Sequence, residues 1–327
     1  MISRIDAHIH YKARVHEDTQ MIRDLGLKLL CICTGVDPVG NWRKQQADIY
    51  IKNVREFPDV YAWVTAYNTP DFKISDSDYA DRCIANLQRD MEQGGAIGCK
   101  IWKGYGMEVK YPDGRFLMPD DAIFHPIYAW LEKNRIPLLA HIAEPMACWR
   151  PLEPGKPHYG YYSQNPQWHM YNKPDFPSHE TLMRHRDNII AKFPKLPFIG
   201  AHLGSLEYDL DECAKRLDAF PNLAMDTSAR LSDLLFHDQA KVKAFIEKYQ
   251  DRLLWGTDVG LGYGTPTPES LQKDRNYCHE MLTAEIAYYT TDKPLKYGPW
   301  ETVGLCLSEK VQRKLMYENA RKWYPGL

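Results

Sequence analysis

The chain has 327 residues and a formal net charge of −2, and 44% of its residues are hydrophobic and 26% charged. This composition is ordinary for a globular protein and gives no electrostatic reason to expect nucleic acid or an anionic membrane as a partner. No apolar run approaches the roughly 18 residues of a membrane span, and the first predicted strand begins too close to Met1 for a cleavable signal. We therefore expect a cytoplasmic protein that acts on a small-molecule substrate.

Short apolar segments alternate with helical segments along nearly the whole chain. Each has the length and composition of a parallel strand that is buried on both faces. The predicted strands are residues 4–10, 28–34, 60–67, 96–102, 137–143, 197–203, 223–228 and 253–258. Eight strand and helix repeats predict a (β/α)8 TIM barrel in a single domain over residues 1–327, with a doubly wound open sheet as the alternative. Residues 308–324 predict an extra amphipathic helix on the outside of the barrel.

The cysteines are spread along the sequence without a C-x-x-C pair. Several lie in strand-like or helical runs, where a reduced thiol behaves as a small hydrophobic group. Cys31 and Cys33 form a C-x-C pair, but no second Cys or His pair lies near them in the sequence. We interpret both as buried packing residues and not as metal ligands.

Side chains of the metal-ligand type stand at the C-terminal ends of four predicted strands. His8 and His10 end the first strand, His141 the fifth, His202 the sixth and Asp258 the eighth. Because side chains alternate faces in a strand, His8 and His10 project to the same side and can bind one ion together. A lone buried histidine is usually a core residue, but imidazoles and a carboxylate at four strand ends suit zinc or a similar divalent ion. The pattern predicts a metal-dependent enzyme, with its site at the carboxyl ends of the strands.

The strings DAHIH, AHLG and WGTD resemble those of the amidohydrolase superfamily. That superfamily has His-x-His after its first barrel strand, His after strands five and six, and Asp after strand eight. The resemblance spans residues 4 to 260. It is closest to the amidohydrolase-related branch, which includes aminocarboxymuconate semialdehyde decarboxylase and several lactonases and hydrolases. These motifs are specific for the superfamily and not for one reaction.

The resemblance implies a role for each of the five residues. His8, His10, His141 and Asp258 would hold one divalent metal ion, with one Zn²⁺ per chain as the expectation, and His202 would lie beside the reacting water. A metal ion lowers the pKa of bound water towards about 7, and a carboxylate that touches both can take the proton. Asp258 is therefore expected to be ligand and general base, and His202 to polarise the reacting carbonyl or shuttle protons. The alternative for Asp258 is an N-cap or structural acceptor.

Lys100, in the predicted fourth strand, separates two types of site. Related enzymes with two metal ions use a carbamylated lysine from that strand as the bridging ligand. In the decarboxylase-like branch a single metal is usual, and an unmodified lysine would instead bind a substrate carboxylate or pair with an acid. We expect an unmodified Lys100 and one metal, and keep Lys100 and His202 as candidates for a second metal or for substrate. Lys103 is interpreted as a solvated loop charge.

The long segment 143–177 follows the fifth strand and is rich in aromatic residues and proline. Long barrel loops are usually functional or disordered, and aromatic residues argue against disorder. We expect either a lid over the site or a rim that packs against a second copy of the chain in a homo-oligomer. The candidate substrate-binding residues are Glu144, Trp149, Arg150 and, after the seventh strand, Arg230, whose guanidinium suits a carboxylate. For Arg230, an ordinary surface position at the start of a helix is slightly favoured over this role.

Three functions are compatible with these residues. The first is a metal-dependent hydrolase that uses metal-activated water on an ester, lactone or amide of a small substrate, which can carry a carboxylate. The second is a metal-dependent non-oxidative decarboxylase with the same ligands, which needs a cation near the departing carboxylate. The third is a barrel that binds metal and ligand without turnover, which would have little reason to retain Asp258 and His202. We rank them in this order.

Overall fold

The computed structural model describes residues 3–11, 15–33, 41–67, 77–261 and 267–327. Eight parallel strands lie side by side in their order along the chain. They are β1 (Arg4–Tyr11), β2 (Leu27–Ile32), β3 (Tyr61–Ala66), β4 (Cys99–Ile101), β5 (Leu138–Ala140), β6 (Phe198–Gly200), β7 (Leu223–Asp226) and β8 (Leu253–Leu254). Each predicted strand is therefore present, while Thr34, at the end of the second prediction, lies outside the described residues.

The barrel is nearly closed between its last and first strands. The short β9 (Gly260–Leu261) follows β8 along the chain and pairs with β1 in a parallel arrangement. The backbone N–H of Ala7 donates to the carbonyl oxygen of Trp255 at 3.0 Å, and the N–H of Asp258 donates to the carbonyl oxygen of His8 at 2.7 Å. These bonds confirm the TIM barrel and exclude the open sheet.

Gly256 allows the eighth strand to come close to the first. A Cβ atom at this position would lie 2.9 Å from Cβ of His8 and 3.0 Å from its backbone nitrogen. Such contacts are too short for any real side chain, so the close backbone approach requires glycine. The approach brings the end of the eighth strand, including Asp258, beside His8.

Helices surround the strands and bury their apolar faces against them. In the helix after β3, for example, the buried residues Tyr79, Cys83 and Leu87 recur every four positions. The α-helices are Val15–Asp24, Asn41–Glu56, Tyr79–Glu92, His125–Asn134, Tyr159–Gln164, His179–Lys192, Ala201–Gly204, Leu210–Ala219, Leu231–Leu234, Gln239–Lys248, Pro268–Thr290, Glu309–Arg313 and Asn319–Trp323. An antiparallel hairpin follows the longest helix, with strands β10 (Pro294–Tyr297) and β11 (Trp300–Val303). Within the described ranges, no helix is both long and apolar enough to cross a membrane.

The C-terminal helical segment covers the N-terminal end of the barrel, which corrects the expectation that it packs on the outside. Ala320 and Tyr324 are buried in the apolar cluster that fills the barrel interior, which includes residues of β1, β5 and other strands. The side-chain amide of Asn319 donates to the carbonyl oxygen of Leu253, at the start of β8, at 2.7 Å. A barrel interior ends in an apolar surface, and burying it under an amphipathic helix removes that surface from water.

Cys31 and Cys33 are both buried in the hydrophobic core. The interpretation of this pair as packing residues is therefore confirmed.

Candidate metal centre

The side chains of His8, His10 and Asp258 meet at the carboxyl ends of the first and eighth strands. The Nε2 atom of His10 lies 3.1 Å from Oδ1 of Asp258, and Nε2 of His8 lies 3.5 Å from the same oxygen. One ligand atom from each residue lies within 4.8 Å of the other two. Zinc binds nitrogen and oxygen at about 2.0–2.2 Å, so tetrahedral neighbours are separated by about 3.3–3.6 Å. The three residues therefore fit a single divalent ion.

The second ring nitrogen of each histidine is held by an acceptor. Nδ1 of His10 lies 3.0 Å from the carbonyl oxygen of Ile32, and Nδ1 of His8 lies 2.9 Å from Oδ2 of Asp226. A carbonyl oxygen and an ionised carboxylate only accept, so Nδ1 of each ring carries a hydrogen. Nε2 of each ring faces Asp258 and is the nitrogen left to bind an ion, as in metal-binding histidines.

Burial and neighbouring groups set the charges of this cluster. Burial lowers the pKa of His8, and the positive charge of Lys100 lowers it further. Burial opposes ionisation of Asp258, but His202, His10 and His8 outweigh it and hold the pKa of this carboxyl well below its usual range. Neutral imidazole and ionised carboxylate are the forms that bind metal.

His141 and His202 lie next to the cluster and contact each other. Nδ1 of His141 is 3.2 Å from Nε2 of His202, and the ring centres of His202 and His8 are 4.9 Å apart. Nε2 of His141 is buried and has no hydrogen-bond partner among the residues that the structure describes. Such a nitrogen is costly to bury unless a ligand or ion reaches it. His141 lies near the site, but it is not in the group formed by His8, His10 and Asp258.

Several strand ends turn through a left-handed residue that is not glycine. The φ angle is 60° at His202 after β6 and 59° at Asp258 after β8, with 66° at Ala143 and 53° at Ala229 after β5 and β7. Such conformations cost about 1–3 kcal/mol each and are enriched at functional sites. Two of the five predicted site residues therefore stand on strained backbone.

Asp226, at the end of β7, is the residue that sequence analysis missed. Its side chain is fully buried, and besides His8 it accepts the backbone N–H of His202 at 2.8 Å and of Ser228 at 3.1 Å. Burial opposes its ionisation, but the electrostatic interaction with the His8 ring and the hydrogen bond from it lower the pKa of this carboxyl. A sequence signal exists, because Asp226 ends an apolar strand just as the predicted ligands do.

Lys100 reaches the site from β4, as predicted. Its side chain is buried, and its Nζ atom lies 3.3 Å from Nε2 of His8. Burial lowers the pKa of Lys100 to about 8. This position is compatible with an unmodified amine and with a carbamate, so the state of Lys100 stays a prediction.

Lys103 and Glu144 form a buried ion pair, which corrects the interpretation of Lys103 as a solvated charge. The Lys103 side chain is 12% exposed, and its ammonium contacts one carboxylate oxygen of Glu144. The other oxygen of Glu144 accepts a hydrogen bond from the Tyr162 hydroxyl at 3.0 Å. The ammonium also lies 4.5 Å from the ring centre of Trp168, a cation–π contact. Residues of the segment 143–177 therefore cover this lysine.

Arg230 is buried, so the expectation of a surface position is wrong. Its Nε atom lies 3.8 Å from Oε2 of Glu207. Neither atom has a hydrogen-bond partner in the described part of the chain. Burial raises the pKa of Glu207, and the charge of Arg230 acts in the opposite direction. Burial lowers the pKa of His202 and of His141, and the charge of Arg230 adds to this, so Arg230 acts electrostatically on the site.

The contacts described for Arg150 and Trp149 are not with the five strand-end residues. Arg150 is exposed, and its guanidinium carbon lies 5.5 Å from the ring centre of Tyr208. Arg150 lines a cavity of about 400 Å³ whose lining contains none of the five strand-end residues. The indole N–H of Trp149 donates to the carbonyl oxygen of Pro177 at 3.1 Å. Their proposed role in substrate binding stays a prediction.

Solved structures share this fold across nearly the whole chain. They include an uncharacterized TIM-barrel protein from Bordetella bronchiseptica, with 16% identity, 99% of this chain and 98% of that chain covered, and a TM-score of 0.54. The 4-oxalomesaconate hydratase from Rhodopseudomonas palustris has 14% identity, coverage of 95% and 81%, and a TM-score of 0.53. The 2,6-dihydroxybenzoate decarboxylase complexed with 2,6-dihydroxybenzoate has 15% identity, coverage of 99% for both chains, and a TM-score of 0.56.

Identities this low establish similarity of fold alone. No curated protein matches the sequence. A family model described as amidohydrolase, however, matches residues 5–326. The match agrees with the resemblance carried by the strand-end motifs. The chain belongs to the amidohydrolase family.

Proposed function

We propose that the protein is a metal-dependent hydrolase that uses water to cleave an ester, lactone or amide of a small substrate. The observation that carries the proposal is the convergence of one ligand atom each from His8, His10 and Asp258, all within 4.8 Å of one another. These three residues would hold one divalent ion, for which zinc suits the ligand types, and His141 is the proposed fourth ligand. When bound, the ion would polarise the reacting carbonyl and lower the pKa of water.

Asp258 is the proposed general base. Its side chain is 27% exposed, so water reaches a carboxylate whose neighbours keep it ionised. A positioned base of this kind contributes about 10²–10⁴-fold to a rate. His202 donates from Nδ1 to the carbonyl oxygen of Ser228 at 2.9 Å, so its Nε2 is an acceptor. This tautomer favours proton transfer over donation to a substrate carbonyl as the role of His202.

A non-oxidative decarboxylase is the second candidate, and buried cations favour it. Decarboxylation needs a positive group near the departing carboxylate, and Lys100, Lys103 and Arg230 are all largely buried around the cluster. The decarboxylase and the hydratase have the same fold at 15% and 14% identity, so the fold is compatible with lyase chemistry. Lys103 and Arg230, however, each lie beside a glutamate, Glu144 and Glu207 respectively. Their charge is therefore partly balanced, and the hydrolase ranks first.

The test is a substrate screen that separates the two reactions by which atom of water enters the product, the oxygen or a hydrogen. Carboxylated lactones, esters, amides and aromatic acids are incubated with zinc-loaded protein in H₂¹⁸O. A hydrolase places one heavy oxygen in the new carboxylate and releases no carbon dioxide. A decarboxylase releases carbon dioxide and takes a solvent proton at carbon, which D₂O reveals by mass. Metal and ligand binding without either product would support the barrel that binds without turnover.

A further inference from the structure

The carboxylate of Asp226 divides its hydrogen bonds between two groups of donors. Its Oδ1 accepts from the backbone N–H of His202 at 2.8 Å, and from the N–H and hydroxyl of Ser228 at 3.1 and 2.5 Å. Its Oδ2 lies 2.9 Å from Nδ1 of His8. One buried side chain on β7 thus joins the end of β1 to the end of β6.

The two ring nitrogens of His8 face groups of different hydrogen-bonding character. On the Nδ1 side stand two acceptors, Oδ2 of Asp226 and, at 3.1 Å, the hydroxyl oxygen of Ser228, whose hydrogen is directed to Asp226. On the Nε2 side stand the ammonium of Lys100 at 3.3 Å, which is only a donor, and Oδ1 of Asp258 at 3.5 Å, which is beyond the usual hydrogen-bond distance. Both sides favour the same tautomer, with hydrogen on Nδ1 and a lone pair on Nε2.

We propose that Asp226 is a positioning residue that fixes the Nδ1–H tautomer of His8 and so keeps Nε2 available for a divalent ion. The inference rests on the metal site of the proposed function, but the tautomer can be measured without metal. Through its bond to the backbone of His202, the same carboxylate holds the left-handed turn on which that histidine stands. Asp226 therefore couples a proposed ligand to a proposed catalytic group.

The substitution Asp226→Asn tests the proposal because it changes one bond and conserves the others. Three donors face the Oδ1 position, so the amide oxygen will occupy it and the NH₂ group will face Nδ1 of His8. Two donors cannot bond each other, and His8 must move its hydrogen to Nε2. Ser228→Ala is the matched control, because it removes a neighbour of the same ring nitrogen and leaves the carboxylate in place.

The first readout is the ring ¹⁵N spectrum of the metal-free protein labelled at histidine. We expect His8 to be Nδ1–H in the wild type and in Ser228→Ala, and Nε2–H in Asp226→Asn. His10 serves as the internal reference, since its Nδ1 bonds to Ile32 and not to Asp226. The second readout is Zn²⁺ binding by calorimetry. Loss of an outer partner of a ligating histidine costs about 10–100-fold in affinity, which we expect for Asp226→Asn only.

The outcomes separate this proposal from that of the metal site. A wild-type His8 with hydrogen on Nε2 overturns the role of Asp226, even if Asp226→Asn does not fold. So does a folded Asp226→Asn variant that retains Nδ1–H and wild-type zinc affinity. The third outcome is a wild-type protein that shows the Asp226-dependent tautomer of His8 but binds no Zn²⁺. This result would refute the metal site, and with it the proposal that Asp226 keeps Nε2 available for an ion. The control of the His8 tautomer by Asp226 would still stand.

Discussion

Nε2 of His10 lies 3.1 Å from Oδ1 of Asp258, across the seam where the last strand of the barrel meets the first. The contact exists only because the barrel closes, with Gly256 permitting the close approach at His8. Closing the barrel therefore also brings the candidate ligands together. An ion bound at this seam stabilises the folded protein by mass action, since an unfolded chain does not present the ligands together.

Removing either histidine of the pair should therefore remove the metal. We expect purified protein to contain about one zinc-like ion per chain, and His8→Ala or His10→Ala to lose it, because a chelate from one strand is broken. Elemental analysis after gel filtration measures the content. His279→Ala is the control, since His279 is exposed on the helix Pro268–Thr290. Unchanged metal content in a variant that combines His8→Ala and His10→Ala would show that the ion binds elsewhere.

Lys100 should be unmodified and the site mononuclear. The described contact of its Nζ atom is with one candidate ligand, His8, at 3.3 Å, whereas a bridging carbamate would stand between two ions. Intact mass spectrometry under native conditions should therefore show the mass of the chain with one metal and without one added carbon dioxide. Two ions per chain, or density joining Lys100 to two ions in a crystal, would favour a two-metal mechanism instead.

The fold and the main candidate ligands are predictable from sequence because both depend on local patterns. Strand length, apolar runs and the residue types at strand ends are enough to identify His8, His10 and Asp258. Asp226 also stands at a strand end, but its task depends on which side chains face it from β1 and β6. That pairing across strands has no signature in a single sequence.

Two of the corrected expectations, those for Lys103 and the C-terminal helix, share a physical cause. Lys103 is buried because Trp168 and Glu144, both from the segment 143–177, pack against it. The C-terminal helix covers the end of the barrel because Tyr324 and its neighbours fill the apolar interior there. In both cases a distant segment decides the burial, and local polarity alone predicts exposure.

The protein should become less stable as pH rises, because the buried carboxyl of Glu285 resists ionisation. The side chain is buried, accepts a hydrogen bond from the indole N–H of Trp255 at 2.9 Å, and has a pKa that burial raises to about 8. The unfolded chain loses this proton near pH ~4.3. Between about pH 4.3 and 8 the folded state binds more protons, so the free energy of unfolding falls as pH increases.

Glu285→Gln should remove this dependence, since the amide oxygen can still accept from Trp255 but cannot ionise. One pKa unit corresponds to about 1.4 kcal/mol, so we expect the variant to be more stable than wild type by at least about 1 kcal/mol at pH 9 and similar to it near pH 4. Urea unfolding at both pH values measures the difference. Glu280→Gln, at an exposed position of the same helix, should change neither value. Equal stability of the Glu285 variant and wild type at pH 9 would contradict a raised pKa.

Asp258→Asn should abolish turnover while largely preserving the fold. The amide can occupy the end of the eighth strand and keep the backbone bond to the His8 carbonyl, but it cannot accept a proton from the attacking water. We expect kcat to fall by about 10²–10⁴-fold, and further where metal affinity falls as well. Metal content and circular dichroism must therefore be measured with the rate on a substrate from the screen. A variant that keeps its metal and works within a few-fold of wild type would exclude Asp258 as the base, and His202→Ala would then test the remaining candidate.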